Sequence, residues 1–291
     1  MIHFTERNHV ELLRNGEAYF PALISAINGA SHEVHLQAYI YEIDDIGLKV
    51  GVALKRAVQR GVGAYVLLDG FGSKDLPKTY VQELQDAGVQ VMFYRPKISP
   101  WTLKRSRLRR LHRKIAVIDG RIAFVGGINI IDDNNVPYRQ PPRIDYAVSV
   151  EGELVQPIRA SARSLWRRIA WSHLRKVEAR ALPRIAEMPK KQMHAAYVIR
   201  DNILHRHDIE DAYMKAINSA RTEILIANAY FIPGKRFRKA LVAAAKRGVK
   251  VRLLLQGRME YFLMFATHAF YGEFLLNGVE IYEYRKSFMH S

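Results

Sequence analysis

The sequence contains no cysteine. Disulfide bonds, thiolate nucleophiles and cysteine-ligated metal sites are therefore excluded, and this absence suits a reducing compartment. Long apolar runs are missing as well, since no stretch reaches the roughly 18 apolar residues that a membrane-spanning helix needs. The nearest stretch, Tyr261–Leu276, is interrupted by His268 and Glu273. Any contact with a membrane is therefore expected to be peripheral.

Acidic residues are scarce relative to basic ones. The 28 Asp and Glu residues face 45 Lys and Arg residues, which gives a net charge of +17. A surface of this charge attracts polyanions, either nucleic acid or anionic lipid headgroups. Composition alone does not separate these two partners. The first residues, Met1–Arg7, lack the basic lead and apolar stretch of a secretory signal, so none is expected.

Five short segments of the first half recur in the same order in the second half. The pairs are Ala26–Asn28 with Ala216–Asn218, Glu33–Leu36 with Glu223–Ile226, Arg60–Val62 with Arg247–Val249, Val66–Gly70 with Leu253–Gly257, and Gly88–Arg95 with Gly278–Arg285. Helix-like segments that end at glycine and precede short β-rich runs are typical of β-α-β units around a mostly parallel sheet. We predict an α/β fold of two homologous lobes, 1–155 and 194–291, joined by a basic helix and proline-containing linker over 156–193.

One segment of the first lobe gathers the groups that can do chemistry. His112 and Lys114 are two residues apart, so on a strand both would project from the same face. Asp119-Gly120 predicts a tight hairpin turn, and Ile122–Val125 predicts the return strand. One hairpin would thus bring an imidazole and an ammonium group close to the carboxamide of Asn129.

This combination favours phosphoryl chemistry. An imidazole can serve as a nucleophile or as a general acid–base near neutral pH. The side chains of Lys114 and Asn129 can neutralise and hydrogen-bond phosphoryl oxygens. No set of carboxylates in the segment is arranged to hold a metal. We therefore expect attack on a phosphodiester without a metal ion or other cofactor.

The pattern His-x-Lys-x4-Asp-x6-Gly-Gly-x-Asn, from His112 to Asn129, resembles the signature of the phospholipase D superfamily at every fixed position. Within that superfamily the chain is similar to bacterial cardiolipin synthases of the short type, which lack N-terminal transmembrane helices. The stretches that carry this resemblance are Glu11–Phe20, Leu67–Ser73 and Arg143–Val148.

Members of the superfamily carry two such motifs, one in each lobe. The repeat places the second motif shortly after Arg285, where the sequence reads Lys286–Ser291 and stops. His290 then matches His112, and the remaining elements of the second motif would come next. We therefore expect a second lobe truncated at its motif and prone to aggregation. A chain that ends there is expected to have little or no activity.

The resemblance implies a phosphatidyltransferase that works through a phosphohistidine. His112 would attack the phosphodiester, and His290 would serve as acid and base, although the symmetry allows the reverse. Lys114 and Asn129 would bind phosphoryl oxygens. Asp119 would fix the hairpin behind the site by ion pairing.

Three further positions belong to the predicted site. Gly126 and Gly127 complete the motif beside the phosphate. Asp145 is the candidate carboxylate that bonds the far nitrogen of His112 and fixes its tautomer, with an ordinary strand-end aspartate as the alternative. No cofactor or metal is implied.

The implied substrate is phosphatidylglycerol, which a second phosphatidylglycerol molecule would convert to cardiolipin and glycerol. With water as the acceptor the product would be phosphatidate. Basic and aromatic residues over Trp101–Arg113 suit an anionic membrane surface, so we expect a peripheral location on the cytoplasmic membrane. A nuclease is the alternative from another substrate class. Nuclease members of the superfamily are typically single lobes that dimerise, which makes nucleic acid the less favoured partner.

Overall fold

The computed structural model describes residues 2–95, 110–136, 140–174, 192–199, 207–257 and 267–291. The chain divides into an N-terminal unit, Phe4–Asn135 with Asp145–Ala196, and a C-terminal unit, Tyr197–Ser291 with Val136–Ile144 and Met1–His3. The lobe limits given above stay a prediction. Residues 101–109 of the basic stretch and both prolines of the linker, Pro183 and Pro189, lie outside the described residues.

The N-terminal unit is built on a seven-stranded sheet. Its strands are β2 (Asn8–Arg14), β3 (Glu33–Ala38), β4 (Gly63–Asp69), β5 (Gln90–Tyr94), β6 (Ile115–Ile118), β7 (Ile122–Gly126) and β9 (Tyr146–Gly152), with a separate antiparallel pair of β1 (Phe4–Thr5) and β10 (Ala195–Ala196). Its helices are α1 (Asn15–Asn28), α2 (Asp45–Gln59), α3 (Lys78–Asp86) and α4 (Val155–Ser172). The strand order is β2-β9-β7-β6-β3-β4-β5.

The C-terminal unit repeats the helix-connected part of this plan. Its elements are β8 (Arg143–Ile144), α5 (Asp208–Ser219), β11 (Glu223–Asn228), α6 (Lys235–Lys246), β12 (Lys250–Gln256), α7 (Tyr271–Leu276), β13 (Glu280–Tyr284) and β14 (Phe288–Met289). The strands β11, β12 and β13 form a parallel sheet. The short strand β14 pairs in parallel with β8.

The α/β class is confirmed, but the expectation of mostly parallel sheets is wrong for the N-terminal unit. There β3, β4 and β5 run parallel, whereas the four pairings β2–β9, β9–β7, β7–β6 and β6–β3 are antiparallel. Strands joined through α2 and α3 can run parallel because a helix carries the chain back. The three residues between β6 and β7 allow only an antiparallel return.

The helices begin and end at signals that the sequence carries. Asp44 caps α2, because its Oδ1 accepts the backbone N–H groups of Ile46 and Gly47 at 3.1 and 3.0 Å. Gly61 follows α2 with a φ of 85°, and Gly248 follows α6 with a φ of 87°. Both values lie in the left-handed region, where glycine carries no steric penalty.

Each unit also ties its first helix to the next turn through one arginine. The Arg60 guanidinium donates to the carbonyl of Ile27 at 3.0 Å, near the end of α1. The Arg247 guanidinium donates to the carbonyl of Ile217 at 3.1 Å, near the end of α5. The two arginines occupy matching places in the sequence repeat, so the repeat extends to side-chain contacts.

The two faces of the seven-stranded sheet are covered differently. Helices α1, α2 and α3 bury one face, and the buried apolar side chains there include Leu23, Ile27, Leu54, Leu84 and Phe124. Helix α4 covers the other face, where the ring of Trp166 packs edge-on against Tyr65 at 5.3 Å between centroids. In the described ranges no helix combines the length and the apolar character needed to cross a bilayer.

Candidate active site

The predicted hairpin is present between β6 and β7. Asp119 and Gly120 adopt φ values of 53° and 61°, and the N–H of Arg121 donates to the carbonyl of Ile118 at 3.0 Å. Two successive positive φ angles match a type I′ turn, whose backbone twist suits the right-handed twist of the flanking strands. The hairpin therefore returns the chain toward the residues that precede β6.

The expectation that His112 and Lys114 lie on this strand is wrong, because β6 begins at Ile115. The backbone N–H of Leu111 donates to the carboxylate of Asp69 at 2.6 Å rather than to a neighbouring strand. The carbonyl of Lys114 extends the ladder by accepting the N–H of Gly126 at 3.2 Å. The two side chains are nonetheless brought together by the turn of the chain that leads into β6.

His112 and Lys114 are in direct contact. The Nζ atom of Lys114 lies 3.1 Å from Nε2 of His112. An ammonium group can only donate, so Nε2 accepts this hydrogen bond and the neutral ring carries its proton on Nδ1. Lys114 is buried, whereas His112 is exposed. The arrangement presents an unprotonated imidazole nitrogen beside a cation.

Burial lowers the pKa of Lys114 to about 8, even though the carboxylates of Asp145 and Asp69 oppose the shift. Removing the ammonium group from water disfavours its charged form, and nearby negative charge restores it in part. At neutral pH Lys114 therefore still carries its positive charge. It loses that charge at a mildly alkaline pH.

Asn129 is held by the chain segment that follows β3. Its side chain is buried, and its Oδ1 accepts the N–H of Ile40 at 3.0 Å. The two N–H groups of the amide are then the part that can donate to a ligand. The preceding residue, Tyr39, places its ring centroid 5.0 Å from that of His112 and 5.3 Å from Nζ of Lys114. This segment therefore links Asn129 to the histidine and the lysine.

The two glycines of the motif allow β9 to approach closely. A Cβ at Gly126 would lie 2.4 Å from Cα of Ala147, and one at Gly127 would lie 2.1 Å from Oδ1 of Asp145. Neither position tolerates a larger residue without displacement of the backbone or the carboxylate. Asp145 is buried, and its Oδ1 also accepts the N–H of Tyr146 at 2.8 Å. The predicted hydrogen bond from Asp145 to the ring of His112 stays a prediction.

Asp119 does not act as expected by ion pairing. Its carboxylate accepts the backbone N–H groups of Ser31, His32 and Glu33, each at 2.8 Å. These three donors lie at the start of β3 and just before it, 86 to 88 residues away in sequence. Among the described residues no cation forms an ion pair with it. The residue supports the hairpin from behind the site, as predicted, but through the backbone.

Asp69 is a site residue that the sequence reasoning missed. It is fully buried at the end of β4 and accepts the N–H groups of Phe71 and Gly72 in addition to that of Leu111. By holding Leu111 it sets the position of the adjacent His112. Polar residues at the carboxyl ends of parallel strands often face ligands, and that signal marks both Asp69 and Tyr39. Across the described ranges no three His, Asp or Glu side chains gather where a metal ion could bind.

His290 belongs to the C-terminal unit. Its backbone N–H donates to the carbonyl of Ile144 at 2.8 Å, directly after the β14–β8 pairing. Its ring packs against Tyr230 and Phe288 at centroid distances of 6.2 and 5.9 Å. The preceding residue, Met289, donates its N–H to Oε1 of Gln256 at 3.1 Å. Gln256 occupies the place in the repeat that Asp69 occupies in the first unit.

Comparison with known proteins identifies the family of the chain. The family described as "Cardiolipin synthase, PLD-like domain" matches residues 23–166 and 213–291. Cardiolipin synthase B of Escherichia coli (strain K12) is 40% identical over 98% of this chain and 69% of that protein. A probable cardiolipin synthase of Bacillus subtilis (strain 168) is 30% identical over 99% of this chain and 57% of that protein.

A solved structure shares the fold. Phosphatidylserine synthase of Haemophilus influenzae Rd KW20 superposes with a TM-score of 0.60 at 12% identity, over 99% of this chain and 76% of that one. The family match includes both His112 and His290 and covers most of the chain. The chain therefore belongs to the phospholipase D superfamily, in the family of cardiolipin synthase PLD-like domains.

Proposed function

We propose that this chain is a phosphatidyltransferase that joins two phosphatidylglycerol molecules into cardiolipin and releases glycerol. The observation that carries the proposal is the contact between Nζ of Lys114 and Nε2 of His112, in which a buried lysine lies beside the imidazole ring. The relatives named as cardiolipin synthases support the choice of substrate.

In the first step Nε2 of His112 attacks the phosphorus of phosphatidylglycerol. The new P–N bond forms as the bond from phosphorus to the headgroup glycerol oxygen breaks, and His290 donates the proton that the departing glycerol needs. Lys114 and the amide N–H groups of Asn129 stabilise the negative charge that develops on the non-bridging oxygens. The Nδ1 proton of His112 would be held by Asp145.

In the second step a headgroup hydroxyl of another phosphatidylglycerol attacks the same phosphorus. His290, now neutral, takes the hydroxyl proton while the P–N bond breaks and His112 is regenerated. The phosphodiester count is unchanged, so no external energy source is needed. Water in place of the second lipid would yield phosphatidate. Because the substrate is a lipid and the surface is basic, the protein would work on the face of an anionic membrane.

The test is incubation of the protein with phosphatidylglycerol vesicles, with lipid products identified by mass. The enzyme is used in amounts comparable to the lipid, so that a single turnover is visible. An alkaline quench preserves the P–N bond of the intermediate for intact-protein mass analysis. We expect cardiolipin and a phosphatidyl adduct, both absent in His112→Ala.

Each other outcome overturns part of this proposal. Phosphatidate without cardiolipin would make the protein a hydrolase. Cleavage of DNA that depends on His112, with no lipid product, would favour the nuclease reading. Cardiolipin formed by His112→Ala at the wild-type rate would remove the histidine from the mechanism.

A further inference from the structure

The exposed face of α4 carries large apolar side chains at its end. Trp171 is 80% exposed and Leu174, just beyond the helix, is 93% exposed. Arg167 and Arg168 are exposed one turn earlier. Burying apolar area is favourable at about 25 cal/mol per Å², so a tryptophan and a leucine held together in water represent an unrealised gain. The position calls for a partner that accepts both apolar and basic groups.

A cleft lies beside these residues, between α4 and the end of the edge strand β5. Its volume is about 430 Å³, and its lining is Phe93, Tyr94, Arg95, Leu165, Arg168, Ile169, Ser172 and His173. The Arg95 guanidinium lies over the ring of Tyr94 at 5.3 Å, and its Nη1 is buried with no hydrogen-bond partner among the described residues. A buried, unpartnered guanidinium N–H is costly unless an acceptor reaches it. The cleft therefore suits an anionic group.

The charge of the surrounding helix points the same way. Helix α4 contains four arginines and no acidic residue. In the described part of the chain, Arg159 is the only one of the four that forms an ion pair with a carboxylate, that of Glu33. Burial alone would raise the pKa of Glu33, but the nearby His35 and Arg159 lower it to about 2. Basic residues beside exposed tryptophan and leucine match the boundary between anionic headgroups and acyl chains.

We propose that the end of α4, with Trp171, Leu174, Arg167 and Arg168, is the surface that docks on an anionic phospholipid bilayer, and that the cleft with Arg95 takes a lipid phosphate. This inference rests on the proposed function, which requires a lipid substrate, and adds the surface that meets the membrane. Trp171 and Leu174 enter the interface, and the arginines lie at headgroup level.

The experiment measures sedimentation of the protein with vesicles of phosphatidylcholine containing phosphatidylglycerol. It is carried out in the His112→Ala background, so that the lipid is not consumed. We expect the double variant Trp171→Ser with Leu174→Ser to bind about tenfold more weakly. Arg168→Gln should weaken binding about fivefold, as expected for one basic group near a charged bilayer, and added salt should reduce that difference.

The chain offers matched controls on another surface. Leu276 is 89% exposed in α7, near the acidic Glu273, and Leu276→Ser should leave vesicle binding unchanged. Arg121 is exposed at the hairpin turn, and Arg121→Gln should likewise have little effect. Thermal unfolding of all variants separates loss of binding from loss of folding, because every substituted side chain is on the surface.

Fluorescence gives a second measurement that needs no loss of binding. Brominated phosphatidylglycerol in the vesicles should quench the emission of Trp171, and the difference between the parent protein and Trp171→Phe isolates that signal from the other two tryptophans. Quenching that is equal in both proteins would overturn the proposal. Equal vesicle affinity of the double variant, or a loss of DNA binding in place of lipid binding, would also overturn it.

The two proposals fail in different ways. Vesicle binding that depends on Trp171 without cardiolipin formation by the wild type would uphold the surface and contradict the proposed activity. Cardiolipin formation together with vesicle binding that does not depend on Trp171 and Leu174 would uphold the proposed activity and contradict the docking surface.

Discussion

The residue before each motif histidine is held in the same way in the two units, but by different chemistry. In the N-terminal unit a carboxylate oxygen of Asp69 accepts the N–H of Leu111 at 2.6 Å. In the C-terminal unit a carboxamide oxygen of Gln256 accepts the N–H of Met289 at 3.1 Å. Both acceptors end the middle parallel strand of their unit. The position of the acceptor is thus repeated in the second unit, but its negative charge is not.

The negative charge of Asp69 has a second role in the N-terminal unit. Asp69 is one of the two carboxylates that favour the protonated form of Lys114, so it holds the backbone and also supports a buried cation. In the C-terminal unit the amide of Gln256 gives the backbone an acceptor without a charge. The comparison teaches that this position of the repeat holds the backbone in both units, and that in the N-terminal unit it also supports a buried cation. The following variants test the second task.

The two histidines should differ most strongly. His112→Ala is expected to abolish the phosphatidyl adduct, because the nucleophilic nitrogen is gone. His290→Ala should retain the nucleophile and slow adduct formation by about 10²–10⁴-fold, as expected for loss of a general acid. Intact-protein mass after an alkaline quench distinguishes the two. An adduct on His290 in the His112→Ala protein would show that the roles are reversed.

Lys114→Met should lower kcat/KM by about 10²–10³-fold, since one preorganised donor to the phosphoryl oxygens is lost. The same change should raise stability, because a buried ammonium whose pKa falls from 10.5 to about 8 is destabilised in its charged form. Urea unfolding at neutral pH should show a gain on the order of 1–3 kcal/mol. Reduced stability would contradict the assignment of burial as the cause of the shift.

The pH dependence of kcat/KM should show whether the charge of Lys114 is needed for activity. Deprotonation of Lys114 above its pKa of about 8 removes the cation, so kcat/KM should fall about tenfold per pH unit on the alkaline side. Stability should move in the opposite direction over the same range, since the unfolded chain binds the extra proton up to pH 10.5. In Lys114→Arg, whatever activity survives should lack this alkaline limb. An unchanged limb would assign it to another group.

Changing the charge of the two acceptors, Asp69 and Gln256, tests the comparison directly. Asp69→Asn keeps an acceptor for Leu111 but removes the charge, so the alkaline limb should move to lower pH and activity at neutral pH should fall a few-fold, about 2–5-fold for a modest pKa change. Gln256→Glu adds a charge near Met289 and should leave that limb in place. Equal shifts in both variants would mean that the effect is not local to Lys114.

The smallest expected effect concerns the matched arginines. Arg60→Ala and Arg247→Ala each remove hydrogen bonds from a guanidinium to helix-end carbonyls, at a cost of about 1–2 kcal/mol. Neither should change kcat/KM beyond this loss of stability. Chemical denaturation followed by far-UV circular dichroism is the measurement. A tenfold fall in activity of either folded variant would indicate coupling to the site.

Sequence reasoning reached the parts of the site that depend on local pattern. The hairpin and the glycine pair follow from spacing and turn chemistry over a short stretch. The closeness of His112 and Lys114 was also predicted, but from a strand that does not reach these residues. The repeat also places Asp69 and Gln256 at matching positions, although the sequence does not show that each accepts the N–H of the residue before a motif histidine. Local reasoning succeeds there because neighbouring residues determine the geometry.

The features that it missed involve distant partners. The acceptor of the Leu111 N–H lies 42 residues earlier, and the donors to Asp119 lie 86 to 88 residues earlier. An aspartate that binds backbone amides has the same local sequence as one that pairs with a cation. The antiparallel neighbours of β9 were missed for a related reason, since strand periodicity shows which residues face the core but not which strand lies alongside.

The bond between Asp119 and the start of β3 gives the signature its spacing. The four residues that separate Lys114 from Asp119 are the whole of β6, and they pair with Val34 to Gln37 of β3 in antiparallel register. Asp119 thus fixes the end of β6, and Lys114 lies just before the start of β6, next to Tyr39. Because side chains alternate along a strand, a shift of one residue in this register would turn every side chain of β6 to the opposite face of the sheet. The four-residue interval in the motif is therefore the length of β6 that pairs with β3.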